Sequence, residues 1–137
     1  MKKIIMLSLL LTFSCQQPVK KEQPQEPTFG IVIHGGAGTI LRANMTPETE
    51  SAYRKVLAEA IKVGHAILKN GGSSQEAVEK TIHVMEDSPL FNAGKGAVLT
   101  ADETIELDAS FMHGAQLDAG AISGVRTIKH PISAAIK

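Results

Sequence analysis

Three short runs in this sequence hold side chains whose types and spacing could do chemistry. His34-Gly35-Gly36-Ala37-Gly38 sets an imidazole against a chain of glycines, and Asn92-Ala93-Gly94-Lys95-Gly96 sets a carboxamide before two glycines one residue apart. Glu106 and Asp108 stand two residues apart in Glu106-Leu107-Asp108-Ala109. Glycines so placed mark backbone where a side chain cannot fit or φ must be positive, and loops of that kind on a rigid scaffold often carry function.

Each run has a chemical reading and a plain one. The His34 loop follows an apolar run, as a phosphate-cradling loop would, but no helix begins directly after it and no Walker lysine follows. Its spacing is also not that of a dinucleotide fingerprint. It reads as a structural glycine turn or as a backbone loop lining a site. His34 could be a base or a metal ligand, or a hydrogen-bonded structural residue. The other histidines, at 65, 83, 113 and 130, show no ligand spacing, so no zinc site is expected. Glu106 and Asp108 could be paired acid/base carboxylates, but the polar outer face of a hairpin is the favoured reading. Asn92 donates hydrogen bonds at a site or opens a turn. Thr39 lies inside the glycine loop, which argues against a role as an N-terminal nucleophile.

The elements that must position these residues are legible from local signals. Phe29–His34 (FGIVIH) is a short β-branched run with the pattern of a buried strand. Thr46-Pro47 opens a helix, with Glu48 and Glu50 in its first turn and Tyr53, Val56, Leu57, Ala60, Ile61, Gly64, Ile67 and Leu68 on one face. Asn70-Gly71-Gly72 ends it. Ser73 and Glu76 form a capping box for a second helix, whose apolar face is Ala77, Val78, Thr81, Ile82 and Met85. From Ala97 the period becomes two. Ala97-Val98-Leu99, a turn at 101–103 and the alternating run to Phe111 read as a hairpin, and Gly120–Val125 as a further strand. His130-Pro131 begins a helix that runs only about two turns, with no partner face expected. The fold class is α+β. The last run stops inside an element, so the chain is expected to be the front part of a longer precursor.

Composition narrows the function classes. Net charge is zero and there is no tryptophan, which leaves neither a basic field nor stacking platforms for nucleic acid. Residues 1–15 read as a signal peptide of lipoprotein type: a lysine pair, an apolar run from Ile4 to Phe13, then Ser14 and the single cysteine, Cys15, as the lipidation site. An ordinary secretory signal, with Cys15 incidental, is the alternative. Residues 16–27, with Pro18, Pro24 and Pro27 and almost nothing apolar, read as a disordered tether. Residues 28–137 are the folded portion. The chain is expected to be exported to the periplasm or cell envelope, with a possible lipid anchor.

Taken together, Ile33–Gly38, the Pro89–Val98 run PLFNAGKGAV, Glu106–Ala109 and Ala119–Val125 leading to His130-Pro131 resemble the plant-type L-asparaginase and isoaspartyl peptidase family of N-terminal-nucleophile hydrolases. The resemblance covers the N-terminal, α-subunit part. It implies a four-layer αββα sandwich, incomplete here, made as a precursor that cleaves itself and exposes a threonine nucleophile. The implied substrates are L-asparagine and β-aspartyl peptides, and the implied assembly is (αβ)2, with the chain's own β part as partner. By position, His34, Gly35, Gly36, Ala37, Gly38 and Asn92 would line the site. Backbone carbonyls of Met85, Glu86, Ser88, Phe91, Ala93 and Lys95 would hold a structural sodium ion, and no catalytic cofactor is implied. No Gly-Thr-Val-Gly-like motif follows Gly38, so the nucleophile is expected to be absent from these residues and the fragment alone inactive. The alternatives are a glycosylasparaginase-like amidohydrolase and a non-enzymatic lipoprotein module with a glycine-rich anion loop.

Overall fold

Two packed helices organise the structure, a computed structural model that describes residues 29–37 and 41–137. The signal, tether and Cys15 expectations, and Gly38, lie outside the described residues. Helix α1 spans Pro47–Lys69, and the Thr46 hydroxyl accepts from Thr49 N at 3.2 Å while Pro47 takes the first helical position. Its end is a Schellman closure: Gly71 has φ +80, Gly71 N donates to Leu68 O at 3.0 Å and Gly72 N to Ile67 O at 2.9 Å. Helix α2, Ser74–Glu86, starts with the Ser73 hydroxyl accepting from Glu76 N at 3.1 Å. Both helices therefore begin where their caps require, and α1 also ends there.

The helices meet through small residues. Ala60 and Gly64 of α1 and Ala77 and Thr81 of α2 are all buried. A Cβ on Gly64 would run into Thr81 Oγ1 and Ile31 Cδ1, so glycine there is what lets the backbones close. Thr81 turns its hydroxyl back to Ala77 O at 2.6 Å, which satisfies a polar group that would otherwise be costly at this contact. Within α2 the expected face holds at Ala77, Thr81 and Met85, but Val78 is exposed and the charged Glu86 is buried instead.

The Phe29–His34 run does not form the expected buried strand. Among the described residues it has no ladder partner, and its side chains alternate: Ile31 and Ile33 turn to the helix pair while Val32 is 94% exposed. Ile33 joins a core of Ala60, Met85 and Phe91, with Tyr53, Val56 and Leu57 packed around it. Tyr53 meets Phe91 edge-on at 5.7 Å.

The β region also departs from expectation. The hairpin between 97 and 111 is reduced to a single bridge, Leu99 to Ile105. The alternating run instead becomes strand β1, Leu107–His113, paired antiparallel with β2, Asp118–Val125. Alternation specifies the face of a strand but not its neighbour, and β2 offers the longer register. Helix α3, Pro131–Ala135, crosses this pair and buries Pro131, Ile132 and Ala135. The expectation of no partner face is thus corrected: α3 approaches β2 so closely that a Cβ on Gly120 would strike the Ala135 carbonyl. The observed class is α+β with a two-stranded sheet.

A bulge between Leu107 and Ala109 interrupts the ladder opposite Gly124, whose φ is +66. Asp108 braces it, accepting from Gly124 N and from the Ser123 hydroxyl, each at 2.8 Å. The Gly124 N–H and then the Ser123 hydroxyl hold its carboxyl below the ordinary aspartate value. A depressed carboxylate contributes stability above its unfolded value, and that contribution is lost as pH falls through the folded value. Asp108→Asn is therefore expected to be less stable than wild type at neutral pH. In urea unfolding the two midpoints should converge below about pH 4.

Candidate active site

The turn after Ile33 is set by Gly36, with φ +115, and its N–H donates to His34 Nδ1 at 3.2 Å. Nδ1 is thereby committed as an acceptor, so a neutral His34 carries its proton on Nε2. Gly35 sits over Leu57 and Phe91, where a Cβ would press at 3.3 Å on a Leu57 methyl. The loop is thus anchored on the helix pair while His34, Gly36 and Ala37 remain exposed.

Asn92 reaches the same place from the segment after α2. Its Oδ1 accepts from Val98 N at 3.0 Å, which fixes the amide's orientation and leaves the nitrogen as the end that can donate. His34, Gly35, Gly36, Ala37 and Asn92 line one groove of about 610 Å³, with Tyr53, Phe91 and Val98 forming its apolar walls. Two motifs more than fifty residues apart in sequence are brought together by the α1–α2 pair. Among the described lining residues there is no serine, threonine, cysteine or carboxylate side chain. The groove offers an imidazole, a carboxamide donor and backbone. That set can bind and orient a small amide, but it supplies no hydroxyl or thiol nucleophile beyond the Tyr53 phenol.

The segment from Met85 to Gly96 coils tightly. Ser88 N donates to Met85 O at 3.1 Å, Ala93 N to Phe91 O at 2.8 Å and Gly96 N to Ala93 O at 3.1 Å. Gly94 has φ +51, and a Cβ there would strike the Glu86 carbonyl; one on Gly96 would strike the carbonyls of Phe91 and Pro89. The carbonyl oxygens of Glu86, Pro89 and Phe91 are packed against glycine backbone. The six donors expected for sodium are backbone oxygens from the end of α2, at Met85 and Glu86, and from the coil after it, at Ser88, Phe91, Ala93 and Lys95, the kind of oxygen a hard cation takes.

The carboxylate pair is otherwise engaged. Glu106, just before β1, pairs with Arg126, and Asp108 in β1 holds the bulge; both are exposed. Sequence reasoning missed the group around Glu86. Its buried carboxylate accepts from Ile132 N at 3.1 Å and lies 3.0 Å from His130 Nδ1, while His83 stacks on His130 at 4.0 Å. The one signal available was the spacing of three between His83 and Glu86, which puts both on one side of α2. His130 lies far along the chain, so no local motif announced it.

A family model described as asparaginase matches residues 26–137. An isoaspartyl peptidase of Salmonella typhimurium is 48% identical over 105 residues, 77% of this chain and 34% of the relative. A plant-type L-asparaginase of Pyrococcus furiosus is 48% identical over 78% of this chain and 33% of the relative. An isoaspartyl peptidase of Escherichia coli is 46% identical over 77% and 33%. The chain thus spans about a third of the length of the curated relatives it matches.

The carbonyl coil yields a test that separates backbone from side chain. Gly94→Ala must bear a left-handed non-glycine residue and a clash with backbone that cannot swing aside. It is expected to cost about 2 kcal/mol or more in urea unfolding. Lys95→Ala, which keeps its carbonyl and removes only an exposed side chain, is expected to stay within about 0.5 kcal/mol of wild type.

Proposed function

The chain belongs to the asparaginase family, and from that premise we propose that it is the N-terminal part of an isoaspartyl peptidase/L-asparaginase. The whole enzyme hydrolyses L-asparagine and β-aspartyl peptides. The observation that carries the reading is the convergence of the His34–Ala37 loop and Asn92 on one groove whose described lining residues include no serine, threonine or cysteine. A hydrolase built this way needs its attacking group from elsewhere in the protein, and a chain spanning a third of its relatives leaves room for one.

In the proposed reaction, autocleavage frees a threonine at the start of the β part. Its α-amine, with a pKa near 8, takes the hydroxyl proton, and the oxygen attacks the side-chain carbonyl of the substrate. Ammonia or an amino acid leaves, and water hydrolyses the acyl-threonine. The Asn92 amide and the backbone of residues 34–38 contribute orientation and donors around the reacting carbonyl. Sodium, held by the carbonyls of Met85, Glu86, Ser88, Phe91, Ala93 and Lys95, would supply fixed charge that braces the coil carrying Asn92 and takes no part in bond making.

The β part would complete an αββα sandwich. The bare Val32 edge of residues 29–34 and the exposed Met112 face of β1 support its placement there. We also propose an (αβ)2 assembly, and export directed by residues 1–15, with Cys15 lipidated and residues 16–27 as the tether. Mass spectrometry of the purified protein should show two chains split before a threonine, and the protein should release ammonia from L-asparagine and cleave β-aspartyl dipeptides. Residues 28–137 expressed alone should release none. Turnover by that segment, or an uncut protein inert on both substrates, would sink the reading.

A further inference from the structure

Helix α3 has only five residues, too few to persist by its own hydrogen bonds, and its N-cap His130 makes no side-chain cap bond. What holds it against α2 is a compact polar group. His83 and Glu86 project from the last turns of α2, and His130 comes from the start of α3. One ligand atom from each lies within 4.8 Å of the others. The two imidazoles are stacked with centroids 4.0 Å apart and planes 25° from parallel. Glu86 is 4% exposed.

The surrounding bonds orient this trio. Glu86 Oε1 receives Ile132 N at 3.1 Å, which aims Oε2 at His130 Nδ1, 3.0 Å away. Ser133 gives its only hydroxyl proton to Glu79 Oε1 at 2.5 Å, so toward His83 Nε2, 2.7 Å away, it can only accept. His83 therefore donates there and keeps a lone pair on its other nitrogen.

We propose that His83, Glu86 and His130 form a zinc site that clips α3 to the end of α2. Two imidazoles and one carboxylate are a donor set suited to a borderline divalent ion, and three protein ligands leave a fourth position for water. Zinc–ligand bonds of about 2.0–2.1 Å place tetrahedral donors about 3.4 Å apart, so the Glu86–His130 pair is already at that scale, the widest separation closes by roughly 1.4 Å, and the stacked rings must turn so that both lone pairs, which lie in the ring planes, meet the ion. Zinc would take the place of the proton between Glu86 and His130. The imidazole proton then moves to Nε2, which faces Asp87 Oδ1 at 3.8 Å. No net proton is gained or lost. His83 and Asp87 also line a surface groove of about 420 Å³, which gives the ion a way in. None of the three ligands lines the His34–Asn92 groove, so the clip is structural, and it uses the carboxylate of Glu86 rather than its carbonyl.

Purified untagged protein, stripped with chelator, should take up one equivalent of Zn2+ in competition with a chromophoric chelator, and its melting temperature should rise in zinc but not in magnesium. Cobalt(II) should give the visible d–d absorption of a four-coordinate site. The His83→Gln/His130→Asn double variant should lose at least about 100-fold in zinc affinity together with the thermal response, while His65→Gln at an exposed position should change neither. If the double variant does not fold, His83→Gln alone and the wild-type cobalt spectrum decide. No uptake at micromolar free zinc, an octahedral cobalt spectrum, or undiminished uptake in the variants would overturn the proposal.

Discussion

The buried carboxylate of Glu86 is the constraint on which the rest of the arrangement depends. A charge taken out of water is tolerated only where its lone pairs are filled, and here they are filled by Ile132 N–H and His130. Those partners belong to α3, so the carboxylate decides where α3 lies and, through the close approach of Gly120 to Ala135, where the β1–β2 pair lies. The carbonyl of the same residue packs against Gly94 and so decides how the chain leaves α2. One residue at a helix end thereby ties the sheet on one side to the Asn92 coil on the other.

The groove follows from a second, purely steric condition. Gly64 lets α1 and α2 close on each other and lets Ile31 rest on the contact. With Ile31 and Ile33 seated, His34 and the glycines after it emerge beside Phe91, and Asn92 is the next residue in the chain. Packing thus delivers the imidazole and the carboxamide to the same groove. The polar atoms of both are half committed to backbone, which orients them while leaving one end of each for a ligand.

Local signals made much of this readable. Thr46, Pro47, Ser73 and Gly71 each act within one helical turn, so the bounds of α1 and α2 could be placed from sequence. The strand at 29–34 was misjudged because burial on both faces needs a neighbour that alternation cannot name. The hairpin at 97–111 failed for a related reason, since residues 105–111 had two possible neighbours and took the one with the longer register. Asn92 and His34 could be singled out by their glycines, yet their shared groove depends on tertiary packing. The Glu86 group was hidden twice over: a charged residue at a helix end ordinarily faces water, and its partners come from 44 and 46 positions further along. Nor could Val78 be told from Ala77 by hydrophobicity, though only one of them faces α1.

The open edge at residues 29–34 has a bearing on colloidal behaviour. An apolar run that has no ladder partner among the described residues and bares Val32 is a template that a second copy can extend in register. No charge or proline between Gly30 and Ile33 interrupts such pairing. Solubility during synthesis and refolding is therefore governed by how soon that edge is covered, and a charged residue at position 32 would act as a gatekeeper against self-association.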